Sequence, residues 1–259
     1  MEDIIISCPG TGKHFFSKKE LAADFFTNSM ANFIIIDPDD EYSSFVNGLG
    51  GTSIKISTSS DKYINLFDFD ISLLKDEKID VISDKCQLIT SFIAINQNRA
   101  LLPTEISFID RCVRQTYLNS KFFKKFNKID IPILSDFRNV MEKETDNVNE
   151  EMKQKLLNVL GIYVDGSAKC FNNHSNIETD NRLISYNISE MSGVMKTQAM
   201  LLVLDNVWNR LSANRDKGVS TWIYFDEIHV FLKDEYCSQF IRDLNKRVIR
   251  YGGALFKIT

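Results

Sequence analysis

The sequence has 259 residues, 44% hydrophobic and 25% charged, which is enough apolar matter for one large or two small cored domains. Its net charge of −4 excludes a global basic field that would draw the chain onto nucleic acid, and leaves open a local basic groove in an oligomer. Cys8, Cys86, Cys112, Cys170 and Cys237 are widely spaced and form no C-x-x-C pair, so reduced thiols in a cytosolic compartment are expected rather than a disulfide frame or zinc site.

No signal peptide is read at the N-terminus, and no window of ~18 or more apolar residues predicts a membrane span. Residues 3–7 read as a short buried strand. Phe15 to Met30 then carries Phe16, Leu21, Ala22 and Phe25 at helical spacing. Phe33-Ile34-Ile35-Ile36 is a second buried strand, stopped at Asp37-Pro38. A short helix over Asp39–Leu49 ends at Gly50-Gly51, and Ser53–Ser57 gives a third strand. Strand, loop, helix and strand in this order open an α/β domain with a parallel sheet.

From about Ile71 to Val164 the texture changes to helical patterns over Ile79–Ile95, Thr104–Leu118, Leu134–Glu144 and Glu150–Tyr163, read as an insertion. The sheet resumes at Arg182–Ile188. An amphipathic helix covers Met195–Leu211, Trp222–Phe225 is a strand, Glu235–Tyr251 is a helix closed by Gly252-Gly253, and Ala254–Thr259 reads as a last strand. The expected division is residues 1–70 and 179–259 for the α/β core and 71–178 for the helical insertion. The chain also reads as a piece of something longer, because its first strand starts at once and its last has barely begun.

Ser7-Cys8-Pro9-Gly10-Thr11-Gly12-Lys13-His14, between strand and helix, nearly matches the phosphate loop G-x-x-x-x-G-K-S/T. Backbone N–H groups of such a turn form an anion nest, and the helix that follows adds its positive end. Pro9, Gly10, Thr11, Gly12, Lys13 and His14 are therefore candidate nucleotide-binding residues, with Lys13 on the phosphates. Ser7 replaces the first glycine, and His14 replaces the hydroxyl that would hold Mg²⁺. Imidazole serves that ion poorly, so metal binding should weaken unless water or Ser17 substitutes. The plainer alternative is a strand–helix turn that happens to contain glycines.

Trp222-Ile223-Tyr224-Phe225-Asp226-Glu227 is an apolar strand ending in two acids. Asp226 is the candidate metal ligand and Glu227 the candidate general base, against the alternative of acids at a solvent edge. Arg247 and Arg250, three apart on the next helix, could reach a neighbouring subunit's phosphate, or simply be a solvated basic face. Asp37 and Glu41 lie where ligands of parallel sheets bind, but capping of the next helix is the default reading. His174 and His229 lack ligand-spaced partners and read as ordinary.

These segments together resemble the motor domain of the conjugative-transfer ATPases of type IV secretion systems, the TraE/TraC kind, equivalent to the fourth VirB protein. The resemblance rests on Gly10–Lys13, on Ile34–Tyr42, on Gly50–Ser57 with Tyr63-Ile64-Asn65, and on Asp110-Arg111. It continues through Phe171-Asn172, Asn181-Arg182, Val207–Arg210, Asp226-Glu227 and Lys246–Gly253. It implies a RecA-like P-loop NTPase core with an inserted all-helical subdomain, hydrolysing ATP with Mg²⁺. It further implies a homo-oligomer, often a hexamer, at the inner face of a cell membrane beside other secretion components, and leaves DNA open as a partner. Two other readings stand beside it. One is a non-catalytic remnant that binds nucleotide weakly or acts as a scaffold, motivated by His14. The other is a DNA translocase of the HerA/FtsK type, against which the acidic balance argues mildly.

Overall fold

The computed structural model describes residues 2–5, 12–75, 80–125, 127–145 and 149–258. They divide into two compact units, one formed by residues 1–57 with 177–259, the other by 58–176.

The first unit is built on β1 (Glu2–Ile5), α1 (Lys13–Thr27), β2 (Asn32–Asp37), α2 (Ser43–Gly48) and β3 (Thr52–Lys55). The second contributes α3 (Val81–Gln97), α4 (Pro103–Asn119), α5 (Phe122–Lys125), α6 (Leu134–Lys143) and α7 (Glu150–Val164). The chain then returns with β4 (Leu183–Asn187), α8 (Gly193–Asp216), β5 (Thr221–Phe225), α9 (Ile228–Phe231), α10 (Glu235–Arg247) and β6 (Gly253–Ile258).

Among the described residues the sheet has six strands in the order β1-β6-β5-β2-β4-β3, and every described pairing is parallel. A parallel sheet is covered on both faces, which is why its strands are near-continuous apolar runs rather than alternating ones. Phe33, Ile34, Ile35 and Ile36 are all buried. Phe33 and Ile35 join Leu21 and Phe25 of α1, Val46 of α2, Tyr224 and Phe256 in one core cluster. On the other face the Tyr186 hydroxyl donates to the Asn206 side chain of α8. Asn214, late in α8, donates to the Thr221 hydroxyl at the start of β5 (2.9 Å). That tertiary bond carries the helix on to Asp216, beyond the apolar stripe that ends at Leu211.

Arg182, just before β4, closes the far end of α1. Its guanidinium donates to the carbonyls of Phe25 (2.9 Å), Asn28 (3.3 Å) and Ala31 (3.4 Å) and lies 3.6 Å from the Phe25 ring centroid. Helix-terminal carbonyls lack intrahelical donors, and the arginine supplies them.

Three helices are shorter than expected. The turn after β2 is taken by Asp40 in the left-handed region (φ 65°), so α2 begins only at Ser43. The helix after β1 ends at Thr27 and not Met30, with Asn28 as its cap. The last helix stops at Arg247 and tightens into a 3₁₀ turn over Val248–Tyr251 before Gly252 (φ 69°) ends it.

The helical unit is held by local caps and an aromatic core. Asp80 and Asn149 accept from Ser83 and Met152 backbone N–H groups, and Glu105 reaches back to the Leu102 N–H (2.7 Å) behind Pro103. Phe67, Tyr117 and Phe137 pack together, as do Phe92, Tyr163 and Phe171. No helix among the described residues is long and apolar enough to cross a membrane.

Candidate functional site

The carboxyl ends of β2 and β5 lie side by side, with Ile36 opposite Phe225, and the Asp226 N–H donates to the Ile36 carbonyl (3.0 Å). Asp37 and Asp226 therefore meet at one edge of the sheet. The connection from β1 enters α1 at the same edge, since Ile5 pairs with Ile258 and Lys257 with Phe225. Crevices at such edges are where parallel α/β sheets bind ligands.

Gly12 adopts φ 82° as the N-cap of α1, a backbone state that favours glycine. It sets Lys13 and His14 in the first turn. Pro9, Gly10 and Thr11 lie outside the described residues. Lys13 forms an ion pair with Glu227, both largely buried. Nε2 of His14 lies 3.4 Å from Oδ2 of Asp226, and its Nδ1 lies 3.7 Å from Oε2 of Glu41. The structure thus brings together Gly12, Lys13, His14, Asp226 and Glu227 from segments more than 200 residues apart.

Glu227 has φ 46°, a left-handed conformation that costs a non-glycine residue ~1 kcal/mol. The sharp turn sends the chain directly into α9 and leaves both acids at the edge. Asp226 is fully buried, yet among the described residues neither carboxylate oxygen has a hydrogen-bond partner, and Nε2 of His14 is likewise buried without one. Burial pushes the Asp226 carboxyl up to about 6, with the His14 side chain opposing the rise and the Glu227 and Asp37 carboxylates adding to it.

Asp37 caps the turn after β2, accepting from the N–H groups of Glu41 (2.9 Å) and Tyr42 (2.8 Å). Burial raises its pKa, and those hydrogen bonds oppose the rise. Ser17 does not supply the missing loop hydroxyl. It is buried, shares a 2.6 Å hydrogen bond with the Tyr42 hydroxyl and donates to the His14 carbonyl (3.2 Å).

His229 is not an ordinary surface histidine: its Nδ1 lies 3.1 Å from Oε2 of Glu227, so this carboxylate stands between Lys13 and His229. The turn that brings position 229 back beside 227 depends on the left-handed Glu227, which leaves no mark in spacing. Arg247 and Arg250 are exposed and away from this cluster. Arg247 caps and Arg250 lies within the 3₁₀ turn that leads into the amino end of β6, where Gly253 pairs with Thr221, and Arg247 lies 5.7 Å from the Trp208 ring centroid.

His14, Asp226 and Glu227 each offer a ligand atom, and these atoms lie within 4.8 Å of one another. Mg²⁺ demands near-octahedral oxygen ligation. An imidazole stands where its hydroxyl ligand is expected and Ser17 is engaged elsewhere, so this donor set fits Mg²⁺ poorly.

No protein-family model matches the sequence, and no curated protein matches it. Solved structures do. VirB4 of Thermoanaerobacter pseudethanolicus superposes with a TM-score of 0.82 at 21% identity, over 100% of this chain and 69% of that one. The plasmid coupling protein TrwB, in complex with the non-hydrolysable GTP analogue GDPNP, gives 0.58 at 14% identity over 99% of this chain and 63% of that one. TrwB with the ATP analogue ADPNP gives 0.56 at 15%, over 99% and 62%. This chain spans somewhat over two thirds of the VirB4 structure and under two thirds of TrwB. The likeness expected from the sequence holds at the level of fold: the chain has the parallel α/β fold shared with VirB4 and TrwB.

Proposed function

We propose that the chain is a nucleoside-triphosphate-binding and hydrolysing motor domain of a conjugative or type IV secretion apparatus. The observation that carries this reading is the meeting of Lys13, at the mouth of α1, with Asp226 and Glu227 at the end of β5. The fold shared with VirB4 and with nucleotide-bound TrwB supports it.

On this reading Gly10, Thr11, Gly12 and Lys13 offer their backbone N–H groups to the phosphates, and the Lys13 side chain pairs with the terminal ones. A triphosphate carries far more negative charge than one carboxylate, so it draws Lys13 away from Glu227. The freed Glu227, still flanked by His229, accepts the proton of the attacking water as general base. Asp226 is the ligand for the accompanying cation. Arg247 and Arg250 sit apart from their own chain's site and act, on this reading, on a neighbouring subunit's phosphate, which makes the working form a homo-oligomer. Work beside other secretion components at the inner face of a membrane belongs to the same reading.

One observation favours a scaffold instead. With Lys13 held by Glu227, His14 in the hydroxyl position and Ser17 engaged by Tyr42, the site is self-satisfied apart from Asp226 and His14. Binding of a fluorescent ATP analogue, beside Lys13→Ala, separates the two. Saturable binding lost in the variant supports the motor. No binding by the folded wild-type chain overturns it in favour of the scaffold.

A further inference from the structure

We infer that this site is built for a borderline divalent cation, of the Mn²⁺, Co²⁺ or Zn²⁺ kind, and not for Mg²⁺, with Nε2 of His14 and the Asp226 carboxylate as its protein ligands and Glu227 as a third donor within reach. The inference deepens the nucleotide reading above by naming the cation that accompanies the phosphates, but its ligands belong to the protein alone.

Three observations carry it. Buried polar atoms are nearly always partnered. Here both Asp226 oxygens and Nε2 of His14 are buried without a hydrogen-bond partner among the described residues, and Oδ2 lies beside that nitrogen. Their separation of 3.4 Å is long for a hydrogen bond. It is the span expected of two ligands each ~2.1 Å from one ion at a tetrahedral angle. The third observation is the support behind the ring. Glu41 lies 3.7 Å from Nδ1, on the side away from Asp226, and the ring meets Tyr42 edge-on with centroids 6.2 Å apart. At that distance Glu41 is a negative charge beside the ring and not a hydrogen-bond acceptor, and it favours a proton on Nδ1, which leaves Nε2 for metal.

The donor chemistry then decides among ions. Imidazole suits Mn²⁺, Co²⁺ and Zn²⁺ increasingly well along the Irving–Williams order, whereas Mg²⁺ keeps to oxygen. His14→Ser restores the hydroxyl and removes the nitrogen, so it should shift the preference back toward Mg²⁺. Glu41→Gln leaves both ligands in place and acts only through its charge beside the ring, and should weaken binding by less than ~10-fold.

The test is Co²⁺ titration of the chelator-stripped protein, read by its visible d–d absorption. Competition with Mn²⁺ and Mg²⁺ follows, in wild type, His14→Ser, Asp226→Asn and Glu41→Gln, each checked for folding by circular dichroism. One Co²⁺ per chain without thiolate charge-transfer bands, lost in Asp226→Asn, is expected, with a Mn²⁺-over-Mg²⁺ preference that falls at least ~10-fold in His14→Ser. An unchanged preference in folded His14→Ser, or no Co²⁺ spectrum in folded wild type, overturns the inference. Binding of the fluorescent ATP analogue in chelator, with Lys13→Ala as its control, is scored separately. Metal without nucleotide sinks the nucleotide reading alone, and nucleotide without a His14-dependent metal sinks this one alone.

Discussion

Arg182→Ala tests whether the far end of α1 is secured as the structure indicates. The guanidinium makes one short, charge-assisted bond to the Phe25 carbonyl (2.9 Å) and two longer ones to Asn28 and Ala31. The first is worth ~1.5–2 kcal/mol on removal, because its carbonyl closes a helix end. Stacking 3.6 Å from the Phe25 centroid adds ~1 kcal/mol in this partly buried setting. The alanine variant should therefore lose ~3 kcal/mol. Arg182→Lys keeps the charge but not the planar fork, and should recover no more than half. The assay is equilibrium urea unfolding followed by tryptophan fluorescence. Both Trp208 and Trp222 lie in the sheet unit, and Trp222 packs on Phe33 and Phe256, so the signal reports that unit. A lower midpoint at unchanged slope is expected. A loss below ~1 kcal/mol, or full rescue by lysine, would refute the reasoning.

Further outcomes follow from the site and the sheet. Glu227→Gln should retain nucleotide binding and lower hydrolysis by ~10²–10⁴-fold, checked by phosphate release against analogue binding. Asp226 carries a raised pKa in the fold, so its contribution to stability is full below its ordinary value of 3.8 and is lost as pH rises through about 6. In chelator, Asp226→Asn should thus gain stability relative to wild type by up to ~2–3 kcal/mol between pH 4 and pH 7; a pH-independent difference in urea unfolding would contradict this. Gly253→Ala would place its Cβ 2.9 Å from the Thr221 carbonyl and 2.7 Å from Val248 Cγ2, and should cost ~2 kcal/mol in the same assay. Arg247→Ala should leave monomer stability within ~0.5 kcal/mol, and its hydrolysis should recover when mixed with Lys13→Ala only if the arginine acts across subunits.

The sheet was readable from the sequence because parallel strands write themselves as apolar runs. Phe33–Ile36 and Trp222–Phe225 are nearly continuous, and each is buried for its whole length or nearly so. The place of Gly12, Lys13, Asp226 and Glu227 at the carboxyl end of the sheet was readable because glycines and strand-terminal carboxylates are tied to fixed positions along the chain. What escaped depends on backbone turns and on partners remote in sequence. His229 gained its role from the left-handed Glu227, and the extension of α8 to Asp216 depends on Thr221. Ser17 looked available because nothing local shows that Tyr42 occupies its hydroxyl. The last helix stops at Arg247 because the chain tightens there to reach Gly252 and turn into β6.

The sheet order has a consequence for how the protein is made. The strand that leads into the phosphate loop, β1, is an edge strand whose described partner is β6, so Glu2 sits opposite Leu255. A contact between residues some 250 positions apart closes late, after the intervening chain has been synthesised and ordered. During folding β1 therefore waits for β6, while the acids on β5 can already dock beside β2. The two halves of the site thus come together in two steps, the acids of β5 beside β2 first and Lys13 only once β1 has paired with β6.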